Sequence, residues 1–215
     1  MLEKELKTKI LNYISLDEND LSVFNTRNAV NLLPKVGSKK LNSIINLEKV
    51  NNIRRINKFH IKVDESINNS SIYISCGETI GQREIRIRKK IIFGFKYIFI
   101  LIDFIYKRVM PKLPLTKQLY FFITRGHNRV LSKAEILGRI SSSGFRVVKY
   151  FSHRNILYVI SKKNKLFKIP SKPSYGLLIS LNRIGYKGDL IKIYKFRTMH
   201  PYSEFIQEDV YNENK

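Results

Sequence analysis

Residues 43–77 constrain the fold more than any other stretch. The run 43–47 (Ser-Ile-Ile-Asn-Leu) reads as a strand, and Ile53, Ile56, Phe59, Ile61 and Val63 follow at mostly helical spacing. Turn residues Asn68 and Asn69 then lead into residues 70–76 (Ser-Ser-Ile-Tyr-Ile-Ser-Cys), a second strand. Strand, helix and strand at this spacing predict a βαβ unit. Flanking segments extend it. Leu2, Leu6, Ile10 and Ile14 have the spacing of an amphipathic helix, and residues 21–24 are a short strand candidate. Residues 131–140 predict a helix opened by a capping box, Ser132 with Glu135. After Gly144, residues 145–151 and 156–161 read as a closing β-hairpin.

A helix feeding a strand that ends in glycine, here Gly77, resembles the second half of a Rossmann-like methyltransferase domain. The resemblance implies an α/β fold: an incomplete Rossmann-like, mostly parallel sheet with flanking helices over residues 1–164. It also exposes a departure. The only glycine before Gly77 is Gly37, so no glycine-rich loop follows a first strand to take a cofactor's phosphate or carboxylate. The module is expected to be a degenerate scaffold, and a methyltransferase-like activity stays as an alternative.

Charge sets the class of partner. Forty Lys and Arg against 17 Asp and Glu give a net +23 and a pI near 10.1, which implies nucleic acid, an anionic membrane surface or phosphorylated substrates. Residues 91–106 (IIFGFKYIFILIDFIY) are apolar except for Lys96 and Asp103. They fall short of the roughly 20 residues that span a bilayer, so a buried helix, an interfacial helix and a re-entrant element all remain open. Arg83, Arg86, Arg88, Lys89 and Lys90 before the segment and Lys107, Arg108 and Lys112 after it favour anionic headgroups. Lys96 and Asp103, seven apart, share a face that a core helix would turn outward. Pro111 and Pro114 end the element, and residues 115–123 form a short helix or strand.

Few residues carry the signature of a catalyst. Cys76 is the only cysteine and reads as a small buried hydrophobe in a reducing compartment. The four histidines are scattered without metal-ligand spacing, and no Gly-x-Ser-x-Gly elbow is present. Asp17, Glu18 and Asp20 read as a solvated loop or cap. Glu78 and Thr79 fall where a cleft at the carboxyl edge of the sheet would lie, although Thr79 equally caps the next helix. Loop 124–129, with Arg125, His127 and Arg129, is a connector with some capacity for anions. The first seven residues lack the apolar core of a signal peptide, so a cytoplasmic location is expected, including the inner face of the cell membrane.

Near the end of the chain, residues 191–200 (Ile-Lys-Ile-Tyr-Lys-Phe-Arg-Thr-Met-His) read as a strand, with Ile191, Ile193 and Phe196 as its β-formers. Residues 177–184 match it across the turn residues 185–189. The resulting hairpin presents Arg183, Lys187, Lys195 and Arg197 and suits a phosphate-bearing ligand. The pattern Arg183-Ile-Gly185, Gly188 and Tyr194-Lys-Phe-Arg-Thr-Met199 resembles the entry of the bacterial sugar transferase family. These membrane-associated phosphoglycosyl transferases move a sugar phosphate from a nucleotide sugar to polyprenyl phosphate in surface polysaccharide synthesis.

That resemblance implies a nucleotide sugar and polyprenyl phosphate as partners, with Arg183, Lys195 and Arg197 as phosphate-binding cations. Arg197 has an alternative role, pairing with a carboxylate such as Glu204. Residues 165–215 are then the truncated start of a transferase domain, joined by a linker at 164–174 and continued by a surface helix at 201–212. The family's catalytic Asp-Glu pair is absent from these 215 residues, so no catalytic residue is assigned and the chain is expected to be inactive alone. Magnesium is implied by the family, whereas no cofactor or metal is assigned to this chain. The competing reading is a basic binding module for nucleic acid or an anionic membrane. Nucleic acid is the weaker of the two, because no RNP strand or basic recognition helix is present.

Overall fold

The computed structural model describes residues 4–14, 21–32, 41–91, 94–164 and 178–207. The acidic cluster at 17–20, most of the linker at 164–174 and residues 208–215 lie outside the described residues. A five-stranded sheet organises the first part of the chain. Its strands are β1 (Leu21–Phe24), β2 (Ser43–Lys49), β3 (Ile72–Gly77), β4 (Phe145–His153) and β5 (Ile156–Lys163), in the spatial order β1-β2-β3-β5-β4. The first three pair in parallel, and β5 runs antiparallel to both β3 and β4. Four of the five strands therefore point the same way. This is the expected α/β class, a mostly parallel sheet with flanking helices.

Both faces of the central strands are covered, which explains their near-continuous apolar sequences. Ile45, Ile74 and Ile160 lie on one face, packed with Leu6, Ile10 and Ile14 of α1 (Lys4–Tyr13) and the residue that follows it. The alternate residues Ile44, Tyr73 and Val159 face the other way. There they meet α2 (Ile56–Ser66), through Ile56, Phe59 and Val63, and α6 (Lys133–Ser141), through Ile136, Leu137 and Ile140. One-residue alternation thus decides which layer each side chain joins. Cys76 is buried beside β2, its thiol donating to the Leu47 carbonyl at 3.2 Å, and burial pushes its pKa up to about 12.

Local chemistry explains the helix boundaries. Thr79 caps α3 (Ile80–Lys90) in a full capping box with Gln82. Ser132 accepts from the Glu135 amide at the start of α6, but no return bond from the Glu135 side chain closes the expected box; that carboxylate serves the site below. The apolar segment forms α4 (Lys96–Phe104), followed by a π-helical turn at Ile105–Val109 and a 3-10 turn at Met110–Lys112. Pro114 then opens α5 (Pro114–Thr124) rather than merely ending what precedes it.

Strands β6 (Leu178–Ile184) and β7 (Leu190–Phe196) form a separate antiparallel hairpin. Its turn has Lys187 at φ 58° and Gly188 at φ 87°, a conformation that glycine adopts without strain. In the stretch expected to form a surface helix from residue 201, residues Ser203–Phe205 form a 3-10 turn and Gln207 is helical, while 208–212 lie outside the described residues. This segment returns to the sheet module: Tyr202 and Ile206 are buried, and Ile206 joins the α2–α6 core. Gly138 makes the contact possible, because a Cβ there would overlap the Tyr202 carbonyl.

Candidate functional site

The three cations assigned to phosphate binding do not converge on one point of the hairpin. Ile179 pairs with Lys195 and Arg183 pairs with Ile191, so Arg183 and Lys195 share a face about four residues, roughly 13 Å, apart. Both are exposed. Arg197 lies beyond β7, with Nη1 at 3.9 Å from the Glu204 carboxylate. Apolar and charged side chains also fail to segregate on β7. Phe196 shares a face with Lys192 and Tyr194, opposite to that of Ile191 and Ile193, because pleating follows strict alternation and not residue type.

A stronger concentration of charge lies in a cleft of about 680 Å³ on the α2–α6 side of the sheet. Helix α2 leaves the carboxyl end of β2, and the N-terminus of α6 lies at the same edge because α6 leads into β4. This is the edge where open α/β folds bind ligands. Arg54, Arg55 and Lys58 contribute from the start of α2, and Arg108 and Lys112 from the turns between α4 and α5. Arg139 of α6 and Arg129 of the preceding loop complete the deeper wall, while Phe121 and Tyr202 supply aromatic surface.

Among the described residues Glu135 is the one carboxylate lining this cleft, and it is almost fully buried. It receives Arg139 Nη2 at 2.9 Å, Arg108 Nη1 at 3.2 Å and Lys112 Nζ at 3.6 Å. Burial opposes its charge, but Arg139, Lys112 and Arg108 outweigh that cost and hold its pKa below the ordinary range. Burial acts in the same direction as cation crowding on Lys112, lowering its pKa despite Glu135. Arg139 also donates to Asn57 Oδ1 at 2.6 Å and lies 4.3 Å from the centroid of the Tyr202 ring. The returning segment after the hairpin is therefore part of the cleft wall.

The loop at 124–129 takes a structural role as well. Arg129 donates through Nη2 to the carbonyls of Ile53 and Arg54, and burial lowers its pKa to about 10. At the end of β3, Glu78 is engaged by Arg86 at 2.5 Å and Arg83 at 3.3 Å, which gives it a clamping role and not that of an open carboxylate. Among the described residues no group of three or more His, Cys, Asp or Glu is placed to hold a metal ion. With Glu78, Asp103 and Glu135 all engaged by arginines, this donor set does not fit magnesium.

Helix α4 is oriented opposite to a core helix. Its less exposed stripe is Lys96, Ile100, Asp103 and, on the following turn, Lys107. Asp103 is gripped by Arg83 at 2.5 and 2.8 Å and by Lys107 at 2.8 Å. The apolar side faces outward, with Tyr97 61%, Leu101 58% and Ile102 58% exposed. Helix α5 shows the same division. Leu115, Leu119, Phe122 and Ile123 form an exposed stripe at helical spacing, while Lys117 and Phe121 line the cleft. Of the buried, interfacial and re-entrant readings left open for residues 91–106, the buried one does not hold: the charged stripe faces the protein and the apolar side is exposed. No helix among the described residues is long and apolar enough to cross a membrane.

No family model matches the sequence, and no curated protein matches it. Among solved structures the chain is similar to one described as a possible exported protein from Bordetella parapertussis, with a TM-score of 0.37 and 11% identity over 64% of this chain and 42% of that one. It is also similar to an O-methyltransferase family protein from Burkholderia thailandensis, with a TM-score of 0.36 and 12% identity over 76% of this chain and 42% of that one. The chain thus spans less than half the length of either structure.

Proposed function

We propose that this chain is a membrane-facing, basic binding module belonging to a bacterial sugar transferase of surface polysaccharide synthesis, and that it does not catalyse alone. The observation that carries the membrane reading is the inverted helix α4. Turning Asp103 inward and the Phe, Ile and Leu side chains outward leaves apolar surface in water unless something covers it. An anionic bilayer fits that surface, because the exposed Lys89 and Lys90 lie just before the apolar segment. At about 13 Å, α4 suits insertion at the headgroup boundary and not a crossing of the roughly 30 Å hydrocarbon core.

The link to sugar transfer rests on the pattern at 183–199 and brings a nucleotide sugar and polyprenyl phosphate as proposed partners. Arg183, Lys195 and Arg197 are the proposed phosphate contacts on the hairpin. A nucleic-acid-binding module is the second reading, favoured by the +23 charge. The methyltransferase-like alternative predicts tight binding of S-adenosylmethionine.

Flotation with phosphatidylglycerol-containing and pure phosphatidylcholine vesicles tests the proposal. The chain should float with the anionic vesicles, and Ile98→Asp/Ile102→Asp should abolish flotation without lowering Tm. Absence of flotation, or equal flotation of that variant, overturns the membrane reading. Stronger salt-dependent binding to generic oligonucleotides would transfer support to the second reading.

A further inference from the structure

We infer that the α2–α6 cleft is a binding site for a polyanion carrying at least two phosphate groups. The argument begins with an imbalance. Glu135 accounts for Arg108, Lys112 and Arg139, but Arg54, Arg55 and Lys58 make no ion pair among the described residues. The second set lies at the start of α2, where no side chain caps the first-turn amides. Those amides and the helix dipole favour negative charge at the same place. The cleft therefore has two tiers of cations, one deep around Glu135 and one exposed at its mouth. A single phosphate engages one tier, whereas two linked phosphates reach both.

One further observation points to a ligand. At about 680 Å³ the cleft falls within the usual range of small-molecule sites. Arginine outnumbers lysine among the deep cations, and a planar guanidinium matches phosphate oxygens bidentately. The site is distinct from the outward apolar stripes of α4 and α5, so it does not depend on membrane attachment.

Calorimetric titration of the full chain with inorganic diphosphate tests the site, with phosphatidic acid vesicles as a second probe. Diphosphate should bind, and Arg55→Glu/Lys58→Glu should weaken it at least tenfold. Both side chains are exposed, and acidic residues are favoured in a first helical turn, so this variant should retain its Tm. Ile98→Asp/Ile102→Asp should leave diphosphate binding unchanged, which separates failure of this site from failure of membrane binding. Displacement of phosphatidic acid vesicles by diphosphate would identify a lipid headgroup as one occupant; binding of diphosphate without such displacement would assign the cleft to soluble phosphates. No measurable diphosphate binding, or equal affinity in the Arg55→Glu/Lys58→Glu variant, would overturn the inference.

Discussion

Asp103 accepts two hydrogen bonds from the Arg83 guanidinium, at 2.5 and 2.8 Å, and this pair holds the charged stripe of α4 against the sheet module. Arg83 is 4% exposed and also contacts Glu78 and Asn128, so the pair belongs to a network joining β3, α3, α4 and the loop before α6.

Asp103→Ala should destabilise the chain by about 3 kcal/mol, because it leaves part of a buried guanidinium uncompensated. A pH dependence accompanies this loss. Burial opposes the Asp103 charge, but Arg83 and Lys107 hold its pKa below the ordinary 3.8. The stabilisation is therefore full above that value and is lost as pH falls through the lower folded-state value. Denaturant unfolding from pH 6 to pH 2.5 should show a shallower acid loss in Asp103→Ala than in the parent.

His60 should produce a separate loss at milder acidity. It is fully buried, with Nδ1 at 3.2 Å from the Tyr73 hydroxyl, and burial followed by the nearby Arg139 charge lowers its pKa from 6.5 to about 3. The folded state keeps the ring neutral, whereas the unfolded chain protonates it below 6.5. Stability should accordingly fall by about 1.4 kcal/mol per pH unit over the interval between those two values. His60→Gln removes the titration while retaining a polar group near Tyr73, and should flatten the slope between pH 6 and 5 in chemical denaturation.

Gly138→Ala should disturb the chain at a distance in sequence. Its methyl group would occupy the position of the Tyr202 carbonyl, so the segment after the hairpin must shift away from α6. A loss of about 1–3 kcal/mol is expected for such overpacking. Hydrogen exchange at residues 200–207 should accelerate more than in the sheet. Uniform acceleration throughout the chain would contradict a local undocking.

The sequence by itself determined the elements and their class. The βαβ spacing at 43–77, the Ser132 cap, the closing hairpin at 145–161 and the glycine turn at 185–189 are local patterns, and periodicity or turn chemistry encodes each of them. It also marked the apolar segment at 91–106 and the charge excess. Only the tertiary structure decided the direction of the α4 stripe, because helical periodicity defines two faces without specifying which one meets the protein. Arg83 settles that choice from another helix, 20 residues earlier. The cleft was hidden for a related reason. Its cations come from positions 54 to 139 and are brought together by the crossover of α2 and the return of α6 to one sheet edge. Convergence of distant like charges leaves no periodic trace in a chain, so it became visible only once those elements were packed.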